Sequence, residues 1–256
     1  MEVALVTVGD ELLAGDTLDT NANWLGEQLA ERGVTVRRIL TLPDDHAVIA
    51  DRVRAYSEDF DAVVVTGGIG GTPDDVTMDA VADAFDREMV VPELTLAAVE
   101  ERLAELDEAV PDLEIAVDPR AEAAVPEGSR PLLNERGLVP GCVLENVYVL
   151  PGIPRELKAM FETVAPEFTG ERESRFLYTV EPEANLVGAL ESVIEQFDVT
   201  VGCYPDPEAG HNRLKVTGTD PETLDRATAW LKECVGASET PVSRSEDGGE
   251  EENGEE

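Results

Sequence analysis

The sequence predicts an α/β fold: a layered domain around a largely parallel sheet, followed by a smaller α+β unit. Three observations predict it. Short apolar runs alternate with segments of helical periodicity over the first two thirds of the chain. Turn residues stand where each apolar run ends, as at Gly9, Gly67 and Pro151. After a Pro/Gly-rich break, a shorter strand–helix–strand–strand–helix pattern begins.

The elements follow in order. Val3–Val8 is a buried strand. Asn21–Arg32 is a helix, with Trp24, Leu25 and Leu29 on one face and Gly33 at its end. Val34–Leu40 is a strand and Asp45–Ser57 a helix. Ala62–Thr66 is a third strand, and Thr72–Phe85 a helix with Thr72 as N-cap and Pro73 in its first turn. Glu93–Leu106 is a further helix. From Pro111 to Pro140 the pattern loosens. Val143–Leu150 is one apolar strand, and Arg155–Phe161 starts a helix. The first domain is expected over 1–168, with a boundary at Pro166–Glu173. The small domain, 175–236, holds strands Arg175–Val180, Val199–Tyr204 and Arg213–Gly218, and helices Glu183–Phe197 and Pro221–Val235. Residues 237–256 are expected to be a disordered acidic tail.

The chain carries 56 acidic and 19 basic residues, a net charge of -37, and only three lysines, Lys158, Lys215 and Lys232. Such charge repels itself at low salt, so a salt-rich, halophilic cytoplasm is the expected setting. The same charge argues against nucleic acid or an anionic membrane as partners of a general electrostatic surface. Cys142, Cys203 and Cys234 have neither disulfide nor metal spacing, and His46 and His211 stand alone. The apolar run at the N-terminus is too short for a signal sequence or a membrane span.

The stretch VVVTGGIGGTPDDVTMDAV, residues 63–81, poses the functional question. Capping and the helix dipole explain Thr72, Pro73, Asp74 and Asp75. They leave Gly67, Gly68, Gly70 and Gly71 unexplained, between a strand and a helix where α/β sheets bind ligands. The loop lacks the Gly-Lys-Ser/Thr of a Walker motif, and Pro73 stands where a dinucleotide fingerprint needs glycine. A divalent ion, Mg²⁺ or similar, resolves the conflict between carboxylates and phosphate. An aspartate holds the ion, the ion bridges to phosphate oxygens, and the loop amides take the rest.

A second acidic loop, with Asp10, Glu11, Asp16 and Asp19, leaves the first strand, and Thr20-Asn21 opens the next helix. It is either a ligand loop at the same sheet edge or a capped turn in an acid-rich chain. A third strand end carries Leu150-Pro151-Gly152-Ile153-Pro154-Arg155-Glu156-Leu157, where Arg155 either reaches a phosphate or makes a surface ion pair. Arg120 and Asn134 are placed in the irregular region, with solvent exposure expected.

Together GDELLAGDTLDTNANWL, TGGIGGTPDDVTMDAV and LPGIPRELKAMF resemble the N-terminal domain of the competence/damage-inducible protein A (CinA) family, within the molybdopterin-binding superfamily. The resemblance covers about residues 1–168, and more weakly 175–235. It implies a three-layer α/β/α domain, a homo-oligomer, and a pocket for a pterin or nucleotide phosphate used with a divalent metal. It implies nucleotidyl transfer to molybdopterin or cleavage of pyrophosphate bonds in ADP-ribose-like compounds. Asp75 matches the superfamily's Thr-Pro-x-Asp turn, Asp74 the paired acid of the competence-protein branch, and Asp10 and Asp19-Thr20-Asn21 the first acidic loop. Gly71 departs from the proline common in that branch. No room remains after residue 236 for the family's amidase domain, so that activity is not expected.

Two functions follow, beside a degenerate scaffold with an empty pocket, which the intact acidic turn argues against. In the first, a metal-dependent enzyme, Asp75 and Asp10 are catalytic and position the ion, with Asp74, Asp75 and Asp19 as metal ligands. Gly67, Gly68, Gly70, Gly71, Thr72, Thr20, Asn21, Pro151 and Gly152 hold the ligand and its phosphate. In the second, the chain is a carrier or regulatory module that binds molybdopterin or a nucleotide without turnover.

Overall fold

The computed structural model describes residues 1–109 and 117–242. The chain divides into two compact units, Met1–Gly170 and a second from Glu171 onward. In the first unit the elements run β1 (Glu2–Val8), α1 (Asp10–Ala14), α2 (Thr20–Glu31), β2 (Thr35–Leu42), α3 (His46–Asp59), β3 (Ala62–Thr66) and α4 (Thr77–Ala84). They continue with β4 (Met89–Val90), α5 (Glu93–Ala109), α6 (Pro119–Glu122), β5 (Val125–Pro126), β6 (Arg130–Leu132), β7 (Gly141–Leu144), β8 (Val147–Leu150) and α7 (Pro154–Val164).

The main sheet has the order β2-β1-β3-β8-β7-β6. The pairs β1·β2, β1·β3 and β3·β8 are parallel, whereas β8·β7 and β7·β6 are antiparallel. All five residues of β3 are buried, because both faces of the sheet are covered. One face carries Ala4, Val6, Val63 and Val65 against Ile49 and Val53 of α3 and Val81 of α4. The other carries Val3, Leu5 and Val64 against Leu25 and Leu29 of α2 and Leu157 and Phe161 of α7. This is a three-layer α/β/α unit. Alternation along each strand divides the apolar side chains between the two layers.

Two expected elements differ. Val143–Leu150 is a hairpin, not one strand: Glu145 takes φ 53° and turns the chain between β7 and β8. Asn146 fixes that turn by donating to the carbonyls of Ser57 and Phe60, at 3.0 and 2.9 Å. The sheet is therefore mixed along this side. The helix expected from Thr72 starts at Thr77, for a reason given below. Of the irregular stretch from Pro111, residues 110–116 lie outside the described residues.

The second unit contains β9 (Glu173–Thr179), α8 (Glu183–Gln196), β10 (Thr200–Asp206), β11 (His211–Gly218) and α9 (Pro221–Cys234). Its antiparallel sheet has the order β10-β11-β9. Leu177, Leu214 and Val216 pack with Leu186 and Val193 of α8 and Leu224 and Leu231 of α9. Residues 237–242 do not behave as the tail expected for 237–256. Ala237 is buried, Ser238 bridges to Tyr178 with bonds of 2.7 and 2.8 Å, and the Val242 carbonyl lies 2.7 Å from His211 Nδ1. The open edge of β9 supplies the backbone partners that hold this segment. Residues 243–256 lie outside the described residues. Among the described residues no helix is long and apolar enough to cross a membrane.

Phe161 is fully buried and meets Trp24 edge-on and Phe168 in a stack, each at 5.5 Å between centroids. Phe161→Ala is expected to destabilise the first unit by about 3–5 kcal/mol. Urea unfolding followed by Trp24 fluorescence measures it.

Candidate phosphate-binding cleft

Three parallel strands end side by side, since Thr7 pairs with Thr66 and Thr66 with Leu150. The loops that follow β1, β3 and β8 therefore leave from one sheet edge, the usual ligand edge of an open α/β sheet. They enclose a cleft of about 660 Å³. The loops are tied together: Thr66 Oγ1 donates to the Pro151 carbonyl at 2.8 Å, and Asn21 Nδ2 to the Gly152 carbonyl at 2.7 Å. Asn21 Oδ1 is buried without a hydrogen-bond partner.

The segment Thr72-Pro73-Asp74-Asp75 is a turn rather than a helix start. Asp75 N donates to the Thr72 carbonyl at 2.9 Å, closing the turn. Thr72 N and Oγ1 both donate to Asp75 Oδ2, at 3.1 and 2.5 Å. Pro73 suits the second position of such a turn as well as it suits a first helical residue. The Thr72 side chain is thereby used within the turn, and α4 begins after Val76 without a side-chain cap. Thr77 N instead donates to the Gly68 carbonyl at 2.9 Å.

Each glycine of the loop has a reason inside the chain. Gly67 and Gly68 adopt φ of 100° and 64°. A side chain at Gly67 would meet the Val8 carbonyl, and one at Gly68 the buried hydroxyl of Thr77. Side chains at Gly70 and Gly71 would meet the carboxylates of Asp75 and Glu122. What remains for a ligand is the row of N–H groups. Those of Gly68, Ile69, Gly70 and Gly71 donate to no acceptor among the described residues.

The cleft is acidic. Glu11, Asp19, Asp44, Asp74, Asp75 and Glu156 line it, with no Lys, Arg or His among its lining residues. Asp44 has a raised pKa, through burial first and then the charges of Asp10, Glu11 and Asp74; the Asp10 N–H, 2.9 Å away, opposes this. Glu122 is raised in the same way, by burial and then by Asp75 and Asp118. Glu156 is buried and accepts from Asn134 Nδ2 at 2.9 Å.

Of the expected ligand and metal residues, Gly67, Gly68, Gly70, Thr20, Asn21, Pro151, Gly152, Asp19, Asp74 and Asp75 line the cleft. Asp10, Gly71 and Thr72 do not: Asp10 contributes its N–H to Asp44, and Thr72 its donors to Asp75. No three His, Cys, Asp or Glu side chains converge into a metal cluster among the described residues. Arg155 is exposed and lies 3.7 Å from Glu156, and Arg120 is exposed. Asn134 is half-buried, not solvent-directed, because its amide organises residues 134–139 and holds Glu156. Sequence reasoning assigned no role to Asp44 or Thr66, nor to Glu156 within the third candidate segment, and all three line the cleft. Asp44 had a signal, since it follows the end of a strand parallel to β1.

Residues 4–170 match the family described as "Probable molybdopterin binding domain". That match spans well over half of the chain. The chain belongs to the molybdopterin-binding domain family. Within the family it stands with the CinA-like proteins. A crystal structure of the protein CinA from Thermoplasma acidophilum superposes with a TM-score of 0.59 at 30% identity, covering 66% of this chain and 99% of that one. A protein of Archaeoglobus fulgidus is 36% identical over 237 residues, 92% of this chain and 98% of its own length. A CinA-like protein of Citrifermentans bemidjiense is 35% identical over 93% of this chain but only 59% of its own length. Residues 172–241 match a second family, described as "FAD synthase, middle domain".

The raised pKa of Asp44 has a consequence for stability. Its ionised form costs native stability above its folded pKa, and the cost vanishes below the ordinary aspartate value. Stability is therefore expected to fall as pH rises between those two values. Asp44→Asn keeps an acceptor for the Asp10 N–H and should raise Tm near pH 7 while leaving it unchanged in acid. Thermal melts of both proteins across pH, in constant KCl, test this.

Proposed function

We propose that the cleft binds a pterin or nucleotide by its phosphate together with a divalent ion such as Mg²⁺. We further propose that the chain cleaves a pyrophosphate bond or transfers a nucleotidyl group in cofactor or nucleotide metabolism. One observation carries this proposal: a row of N–H groups without acceptors among the described residues, at a cleft whose described lining holds six carboxylates and no cation. The amides suit phosphate oxygens. The carboxylates repel phosphate unless a cation stands between.

The donor set fits such an ion. Mg²⁺ keeps several waters and is held by one or two carboxylates plus the substrate's phosphates, so no ready-made protein cage is needed. Asp74, Asp19 and the Asp75 oxygen not engaged by Thr72 would hold it. When bound, it neutralises phosphate charge and acidifies water. The chain's own part is placement. The Gly68–Gly71 amides orient the phosphate, and Thr72 fixes the rotamer of Asp75. Asp44, which accepts the Asp10 N–H and lines the cleft, would share the ion-positioning role expected of Asp10. Glu156, held by Asn134, forms the wall beside α7.

A second proposal, a carrier without turnover, is favoured by the engagement of Asp75 in its own turn. One experiment separates the two. The protein is incubated in high KCl with Mg²⁺ or Co²⁺ and ADP-ribose, FAD, NAD, or ATP plus molybdopterin, and products are read by mass spectrometry. A product that Asp75→Asn loses, by about 10²-fold or more in rate, is expected of the enzyme. Tight binding with no product from any compound would leave the carrier.

A further inference from the structure

The second unit has a sheet face that none of its described elements covers. Both helices pack on the side of Leu177, Leu214 and Val216. By strand alternation the other side presents Phe176 and Tyr178 from β9, His211, Arg213 and Lys215 from β11, and Tyr204 from β10. Its remaining positions on these strands are Ser174, Thr200, Gly202, Thr217 and, at the end of β10 opposite His211, the carboxylate Asp206. One carboxylate among these eleven positions is few for a chain with 56 acidic residues. Phe176 and Tyr204 are 40% and 48% exposed.

The cations on this face have no carboxylate partner. Arg213 lies 5.6 Å from the ring centroids of both Phe176 and Tyr204, and Lys215 lies 5.9 Å from that of Phe176. Neither makes an ion pair or side-chain hydrogen bond among the described residues, whereas Arg175 and Lys232 of the same unit do. Gly202 leaves space that the Tyr204 ring fills, so the ring lies along the sheet instead of standing off it. At one end Ser174 and Thr217 share a hydroxyl contact of 2.9 Å, with Thr200 bonded beside them. At the other, Tyr178, Tyr204, His211 and Arg213 line a groove together with the carboxylates Asp206 and Glu208, so an anion is placed toward Lys215 and away from that end.

We propose that this face is a docking surface for single-stranded RNA. Flat exposed rings beside unpaired cations suit bases stacked on the sheet with their phosphates near Arg213 and Lys215. The hydroxyl cluster supplies partners for a ribose 2′-OH. An acidic peptide would use the cations but leave the two rings without stacking partners. The net charge of the chain opposes a broad polyanion surface. It confines contact to a few nucleotides and makes stacking, which tolerates salt, the main source of affinity.

The test is fluorescence anisotropy of a 5′-labelled ten-nucleotide uridine-rich RNA with the full chain, from 0.5 to 2 M KCl. Binding is expected to persist across that range. Tyr204→Ala and Phe176→Ala should each weaken it by about 5- to 150-fold. Tyr204→Phe, which keeps the ring, should bind as the parent does, separating stacking from misfolding. Arg213→Gln with Lys215→Gln should flatten the salt dependence by about 1.4 in log–log slope, the value for two phosphates. Four results would each overturn the proposal: no binding, no loss in the ring variants, equal or tighter binding of the matching DNA, or displacement of RNA by a poly-glutamate peptide at equal concentration.

Discussion

The cleft depends on the parallel register of β1, β3 and β8. Thr7, Thr66 and Leu150 are neighbours across three strands, so three loops distant in sequence begin within two strand spacings of one another. The register is secured beyond the ladder. Thr66 lends its hydroxyl to the Pro151 carbonyl, and Asn21 reaches across to Gly152 from the start of α2. Both layers of helices bury apolar surface against these strands, so moving one strand by a residue would exchange the contents of two cores. Rigidity in the sheet thus becomes precision in loops that have little regular structure of their own.

That precision leaves an electrostatic conflict. Gly67 and Gly68 take backbone angles that favour glycine, while Gly70 and Gly71 let carboxylates of the same chain come close. The loop is therefore built around its own acids. Asp75 closes the turn, Glu122 lies against Gly71, and burial and mutual repulsion raise the pKa values of Asp44 and Glu122. Unpaired N–H groups and crowded carboxylates in one cleft make opposite demands, for an anion and for a cation. The metal–phosphate pair we propose would satisfy both, and neither partner alone would.

Much of this was legible in the sequence. The buried strands were visible as apolar runs, because a strand covered on both faces needs no alternation. Ala62–Thr66 is found at the expected residues. The failures were local ambiguities settled by tertiary contacts. Thr72-Pro73-Asp74-Asp75 satisfies the chemistry of a helix start and of a β-turn equally, and only the engagement of Asp75 with Thr72 decides between them. In Val143–Leu150 the polar pair Glu145-Asn146 marked a hairpin, but without Gly at the turn the signal was weak; Asn146 is held by carbonyls near residue 60. Asp44 and Glu156 belong to the site only because β2 ends and α7 begins beside it, which residue type alone does not reveal.

The two units treat charge in opposite ways. In the first, carboxylates gather at a sheet edge around donors that lack acceptors. In the second, one sheet face carries a single carboxylate on its strands, Asp206, and Arg213 and Lys215 lie beside aromatic rings. A chain of net charge -37 supplies a carboxylate for almost any surface position at little cost in solubility. Where carboxylates crowd despite repulsion, or are withheld despite their abundance, general solvation does not account for the pattern. Our two proposals account for it by local partners of opposite charge: a cation within the cleft, and an anion upon the open sheet.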